Sequence, residues 1–328
     1  MPFPGKLGPM PDSLRSIHVV AAVISDVRGR ILLARRTEGR DLAGQWEFPG
    51  GKCEPGETAE QALVRELQEE LGITVQVGEA LVNVPQQYPD KRLRLDVRRV
   101  AAWEGTPRGH EGQALAWVAP DKLTRYPMPP ADRPVVAVLR QPDRYLVTPG
   151  PGVEDGAWLQ GLAAALQAGI RRVQLRAPAQ AAEPRWRELV AAAAALCRKA
   201  KAEVLVNGDI ELARELGIGV HLRAAQLRGL HERPLPEMLP VAASCHDADE
   251  LRIAQSLGCD FAVLGSVLSS ATHPGADGIG WSGFARLRES VSLPIYAIGG
   301  LSPQHIGEAR QHGAQGIAAI RSLWPTPL

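Results

Sequence analysis

Between residues 145 and 320, apolar strand-like runs alternate with helical stretches eight times over. The runs are 145–148, 172–175, 203–207, 220–222, 241–244, 261–265, 295–298 and 316–320. Parallel neighbours need a crossover of a dozen residues, normally a helix, so this rhythm specifies a parallel sheet. Eight such units suggest a sheet closed into a (β/α)8 TIM barrel. The repeat occupies roughly 180 residues, short for that fold, so tight loops are expected.

The first half has a different character. An apolar run at 18–24, a turn at 26–29 and a second run at 31–34 read as a β-hairpin. A glycine-rich segment then ends at Gly50-Gly51, and a helix over 58–71 is closed by Gly72. Strand-like pieces follow at 75–84, 93–103 and 114–118. This is α+β in character, so the chain divides near Gln141-Pro142-Asp143 into domains at 1–140 and 144–328. No low-complexity linker separates them, which predicts that they are held closely.

Composition narrows the function classes. Lys plus Arg is 37 and Asp plus Glu is 36, so no global charge favours nucleic acid or an anionic membrane. Cys53, Cys197, Cys245 and Cys259 show no CxxC spacing, which argues against a zinc site or a disulfide framework. The first eleven residues hold four prolines and no apolar core, unlike a signal peptide. The alanine-rich stretch 189–197 is too short to span a bilayer. A cytoplasmic location is expected, with no direct nucleic-acid partner and no membrane; a homo-oligomer stays open.

The chemistry concentrates on the helix after Gly51. Thr58 and Gln61 form a capping box, which fixes its start. At 100° per residue Leu63, Leu67 and Leu71 share a core-facing stripe. With Glu66 as zero, Glu70 lies at about +40° and Glu69 at about −60°, beside that stripe. A solvated acidic face, with Arg65 and Glu69 as an i,i+4 pair, is the plain alternative. Clustered carboxylates repel one another without a cation, whereas hard Mg2+ takes oxygen ligands and bridges carboxylates to phosphates.

The stretch Gly51, Glu57, Arg65-Glu66, Leu67, Glu69-Glu70, Gly72 and Ile73 resembles the complete 23-residue Nudix signature. The resemblance implies a Nudix α/β/α sandwich that hydrolyses a diphosphate linkage with Mg2+, or Mn2+ as a substitute. It makes Glu66, Glu69 and Glu70 metal ligands, helped by the Gly50 carbonyl. Arg65 and Glu57 orient them.

Further pieces resemble the MutT branch, which acts on oxidised nucleoside triphosphates: Ala34-Arg35-Arg36, the 47–52 run Glu47-Phe48-Pro49-Gly50-Gly51-Lys52, Tyr88-Pro89-Asp90, Trp103-Glu104-Gly105, His110-Glu111-Gly112-Gln113 and Pro129-Pro130-Ala131-Asp132. By that resemblance Glu111 is a further ligand or base, and Arg36, Phe48 and Tyr88 face a small-molecule nucleotide, with 8-oxo-dGTP the first choice. One position departs from the pattern. Asp132 stands where the family has an asparagine, and it either accepts from the base or holds a proton in a desolvated pocket.

The second half resembles the thiamine-phosphate synthase and TenI family of barrels. The carrying pieces include Tyr145-Leu146-Val147-Thr148, Gln174-Leu175-Arg176, Leu205-Val206-Asn207, Val220-His221-Leu222, Ser244-Cys245-His246 and Ile298-Gly299-Gly300. The resemblance points to Gln174, Arg176, Asn207, His246, Gly299 and Gly300 as a ligand and phosphate site for a thiamine-type phosphate. The synthase residues are eroded: Pro178 replaces a lysine, Asn207-Gly208-Asp209 replaces Asn-Asp-Arg, and Gln226 replaces an acid. Loss of synthase activity is therefore expected. His246 matches a histidine used in thiazole tautomerisation. An alternative follows: the first domain hydrolyses thiamine-pathway pyrophosphates, with the barrel as tautomerase or ligand-sensing regulator.

Overall fold

The computed structural model describes residues 14–177, 183–269 and 277–325. Pro178 and the proline-rich first eleven residues lie outside that set.

The N-terminal unit contains β1 (Arg15–Val23), β2 (Ile31–Arg35), β3 (Trp46–Glu47), β4 (Gly50–Lys52), α1 (Ala59–Leu71), β5 (Thr74–Gln87), β6 (Lys91–Glu104), β7 (Leu115–Val118) and α2 (Arg133–Arg140). One sheet has the order β4-β1-β6-β5, and the other β3-β2-β7. β1 is apolar without alternation because both its faces are covered. Val20 and Ala22 pack with Leu63, Leu67 and Leu71 of α1. Ala21 and Val23 pack in a second core with Val135, Val136 and Val138 of α2. A strand buried on both faces reads as a continuous apolar run.

The hairpin expected at 18–34 does not form as such. The turn is present, with Asp26 Oδ1 accepting from the Arg28 and Arg30 N–H groups at 2.9 and 2.8 Å. Beyond one bridge, Ser25 to Ile31, the strands part. β1 runs parallel to β6 along its whole length and antiparallel to β4, while β2 pairs with β3 and β7. Both strands are apolar on both faces, and a two-stranded ribbon leaves such faces wet.

The C-terminal unit contains β8 (Arg144–Val147), α3 (Asp155–Gln167), β9 (Arg172–Leu175), α4 (Pro184–Lys199), β10 (Glu203–Asn207), α5 (Ile210–Leu216), β11 (Gly219–Leu222), α6 (Ala224–Leu227), β12 (Val241–Cys245), α7 (Ala248–Ser256), β13 (Phe261–Gly265), α8 (Gly280–Arg288), β14 (Ile295–Ile298), α9 (Ile306–Gln311) and β15 (Gly316–Ala319). β8 to β15 close into a parallel barrel. Among the described residues β15 is followed by a turn and not by a helix. Tyr145, Leu205, Phe261 and Tyr296 fill the barrel's interior. At its N-terminal end Arg172 stacks 4.1 Å from the Phe261 ring and donates to Tyr296 Oη at 2.8 Å and Glu203 at 2.5 Å.

The two units are in direct contact, without a free linker. Gln87 N donates to Glu289 O at 2.8 Å, and Gln315 Nε2 lies 3.1–3.2 Å from the carbonyls of Ala137, Gln141 and Pro142. The four cysteines are free thiols. No helix among the described residues is long and apolar enough to cross a membrane.

Candidate active site

The capping box puts α1 in register with the strand before it. Thr58 Oγ1 accepts from Gln61 N at 3.2 Å, and Gln61 Oε1 accepts from Thr58 N at 2.9 Å. The buried leucine stripe then turns Glu66 and Glu70 toward β4. Gly50 N donates to Glu70 Oε2 at 3.4 Å. The Glu66 carboxylate rests directly on Gly51, where a Cβ would lie 2.1 Å from its Cδ. Only glycine leaves that space. Gly51→Ala is expected to displace Glu66 by about an ångström and to lower kcat on the order of 100-fold. Steady-state assays beside thermal melts check this, because a merely destabilised enzyme loses melting temperature and keeps its kcat.

Arg65 organises the carboxylates around it. Its Nε and Nη2 donate to Glu57 at 2.7 and 3.0 Å, its Nη2 to the Lys52 carbonyl at 3.0 Å, and its Nη1 to Glu66 and Glu69 at 3.0 and 3.2 Å. The guanidinium, with the Glu54 N–H, holds the Glu57 carboxyl down at about 2. The helical arc is therefore split. The Glu66 and Glu70 side chains are 15% and 10% exposed, whereas Glu69 is 60% exposed and engaged with Arg65. Burial, then Glu111, Glu47 and Glu66, push Glu70 up to about 7.

Glu111 arrives on a loop, where its N–H is held by Gln113 Oε1 at 2.8 Å and Gln113 Nε2 reaches the Glu70 carbonyl at 3.1 Å. Arg40 pairs with Glu111 and lies 3.8 Å from Glu70. Sequence reasoning missed Arg40 and Gln113 as parts of the site. Gln113 sits inside a quoted motif, whereas nothing local marks Arg40.

A second cluster forms beside the first. Phe48 N donates to Asp132 Oδ1 at 3.3 Å. Tyr88 has the Ala131 backbone at its phenol, with Asp132 and Arg36 nearby. Arg36 pairs with Glu47 and donates to the Asp41 carbonyl at 2.6 Å. Asp132 is buried, and that burial, with Glu47 next, pushes its carboxyl up to about 8.

The barrel holds its own cavity of about 650 Å3 at the C-terminal ends of the strands. Gln174, Arg176, Asn207, His246, Gly299 and Gly300 all line it, as does Arg321. Among the described lining residues there is no Asp or Glu. Asp209 is turned away, capping α5 through Leu212 N at 2.9 Å, and Gln226 donates to the Gly208 carbonyl at 2.9 Å. His246 is exposed, with Nδ1 3.1 Å from Glu250. His221 is buried between Tyr145 Oη at 3.0 Å and Ser244 Oγ at 2.8 Å, and burial lowers it to about 3, so it is neutral.

Residues 16–139 match the NUDIX domain family, and residues 144–323 match the thiamine monophosphate synthase family. The CTP pyrophosphohydrolase of Escherichia coli (strain K12) is 46% identical over 123 residues, 38% of this chain and 90% of that protein. The 8-oxo-dGTP diphosphatase of the same strain is 39% identical over 128 residues, 39% of this chain and 99% of that protein. The thiamine-phosphate synthase of Thioalkalivibrio sulfidiphilus (strain HL-EbGR7) is 32% identical over 192 residues, 56% of this chain and 88% of that protein. The chain belongs to both families. It is a Nudix pyrophosphohydrolase fused to a thiamine-phosphate synthase-like barrel.

Nudix hydrolases generally use divalent cations, and the donor set here suits one. It consists of oxygen donors, and Glu70 is pushed up by burial first and then by three neighbouring carboxylates, whose field a hard cation relieves. Among the described residues no three Asp, Glu, His or Cys side chains converge closely enough to enclose an ion. Arg40 and Arg65 engage the carboxylates instead.

Proposed function

We propose that the Nudix unit, over residues 1–140, hydrolyses nucleoside triphosphates, 8-oxo-dGTP foremost, to the monophosphate and pyrophosphate. In cellular terms this removes an oxidised precursor from the nucleotide pool. Water adds to the β-phosphorus, the bond to the oxygen bridging the α-phosphate breaks, and the nucleoside monophosphate leaves. Glu66, Glu69, Glu70 and the Gly50 carbonyl, with Glu111 from its loop, would hold Mg2+. A bound Mg2+ supplies charge neutralisation and a lowered pKa for water. Arg65 and Glu57 fix the carboxylates from behind. Arg36, Phe48, Tyr88 and Asp132 take the nucleotide.

The observation that carries the base reading is Asp132. A carboxyl pushed up to about 8 is protonated at neutral pH, so it donates and accepts as an asparagine does. A buried donor–acceptor pair suits a base edge carrying both functions, and 8-oxo-guanine presents one. A second reading is a cytosine nucleotide, favoured by the likeness to a CTP pyrophosphohydrolase and by the match of a carboxyl oxygen to the cytosine amino group. The fusion itself favours a thiamine-type diphosphate.

The discriminating experiment is Mg2+-dependent pyrophosphate or phosphate release from 8-oxo-dGTP, dGTP, CTP, thiamine diphosphate and aminopyrimidine diphosphate. Preference for 8-oxo-dGTP supports the proposal, and preference for CTP or a thiamine-type diphosphate replaces it.

For the barrel, over 144–328, a thiamine-type phosphate is the proposed ligand. Gly299-Gly300, Arg176 and Arg321 suit the phosphate, and His246 suits proton transfer. The missing carboxylates support the expected loss of synthase activity, because Mg2+-pyrophosphate finds no anionic oxygen ligand in the described lining. Incubation with aminopyrimidine diphosphate and thiazole phosphate is expected to give no thiamine phosphate by chromatography; turnover would refute this.

A further inference from the structure

The hydrogen bonds that cross between barrel and Nudix unit converge on two short segments. One is the end of β5: Arg288 Nη1 donates to Pro85 O at 2.6 Å, and Gln86 Nε2 and Gln87 N reach Glu289 O at 3.3 and 2.8 Å. The other is the end of α2 and the residues after it. Gln315 Nε2 contacts the carbonyls of Ala137, Gln141 and Pro142, and Arg172 Nη1 donates to Gln141 Oε1 at 3.0 Å. No hydrogen bond or ion pair among the described residues joins the barrel to α1, which carries the acidic cluster.

One gripped segment leads directly into the base-facing wall, and the other reaches it through the length of α2. β5 ends one residue before Tyr88, whereas the gripped end of α2 is its C-terminal one, and Asp132 precedes Arg133 at the other end, so the short rigid helix carries the grip to it. Tyr88 lies near enough to Asp132 for the carboxyl's charge to act on its phenol. We propose that Arg288 and Gln315 are positioning residues for nucleotide recognition: the barrel sets the wall that selects the base and leaves the hydrolytic carboxylates alone. This rests on the reading of Tyr88 and Asp132 as base-facing.

The chemistry of Arg288 fits a geometric task better than a stabilising one. It is fully buried, and its acceptors are the carbonyls of Pro85, Gly313 and Val291, with no carboxylate among them. A buried guanidinium without a counter-ion is costly, and an apolar side chain of similar volume fills such a space at less cost. Its Nε and Nη1, held in one rigid plane, instead tie three backbones in one arrangement, while Nη2 stays buried without a partner. Gly313 completes the joint. Its φ is +83°, and a Cβ there would stand 2.8 Å from both Arg288 Cδ and Pro85 Cδ.

The test uses the full chain with Arg288→Met, Gln315→Met and Gly313→Ala, assayed on 8-oxo-dGTP and dGTP with Mg2+. Gln315→Met removes side-chain contacts to α2 without disturbing β5, so it remains informative where Arg288→Met fails to fold. Expected is a KM for the preferred nucleotide raised about tenfold, with preference over the other reduced in step and kcat within about twofold. General destabilisation does not produce that split. Folded variants with the unaltered KM, or with kcat lowered and KM unchanged, overturn the positioning role. An unaltered chain that does not distinguish bases overturns the base-facing reading first, and the inference with it. An unaltered chain that discriminates, beside variants that do so equally, overturns the inference alone.

Discussion

Glu70→Gln is expected to lower kcat for triphosphate hydrolysis on the order of a thousandfold while the chain keeps its fold. Glutamine has the same shape, and its carbonyl oxygen still accepts from Gly50 N, the contact that places the side chain against β4. What it lacks is charge. A thousandfold corresponds to about 4 kcal/mol of transition-state stabilisation, within the several kcal/mol a metal-bound phosphoryl centre supplies. Glu66→Gln is expected to act in the same direction, because Glu66 also faces β4, upon Gly51. Both variants should bind Mn2+ more weakly by titration calorimetry. A Glu70→Gln enzyme within tenfold of the unaltered kcat would remove Glu70 from the proposed ligand set.

Asp132→Asn is expected to free both stability and recognition from a pH dependence that the native chain carries. The folded chain holds the Asp132 proton up to about 8, against 3.8 for an ordinary aspartate. A folded-state value above the unfolded one means that the native state binds more protons between those limits. Stability linked to Asp132 is therefore complete below about 4 and drains as pH rises through about 8. The slope is at most ~1.4 kcal/mol per pH unit for one proton. Relative to the native chain, Asp132→Asn should gain stability steadily across that window, as denaturant melts at several pH values will show. Recognition follows the same proton. Above about pH 8 the native carboxylate only accepts, so KM for 8-oxo-dGTP is expected to rise about tenfold by comparison with Asp132→Asn, the scale of one hydrogen bond to a base. Parallel pH profiles for the two proteins would contradict the account of a protonated Asp132.

The parts legible in the sequence were those carried by local periodicity. The eight barrel strands announced themselves because each is a short apolar run set between helical stretches, and β9, β10, β13 and β14 fall within the expected limits. α1 was legible because Thr58, Gln61 and Gly72 are local signals. Strand partners were not. The runs at β1 and β2 are visible, but the choice between pairing with each other and pairing with β6 and β7 depends on burial from both sides. Helical-wheel arithmetic placed Glu66, Glu69 and Glu70 on one arc and offered Arg65–Glu69 as an i,i+4 pair, yet cannot say that β4 leaves room for only two of the three carboxylates. Arg40 meets Glu111 across 71 positions, and Arg288 meets Pro85 across 203. Such contacts exist only once both chain segments are folded.

The most direct test of the account is pyrophosphate release from 8-oxo-dGTP and dGTP by the full chain, with Mg2+ and after chelation, beside Glu70→Gln. The account predicts Mg2+-dependent release that favours 8-oxo-dGTP and collapses in the variant. Release that survives chelation or Glu70→Gln, or that ignores the oxidised base, would contradict it.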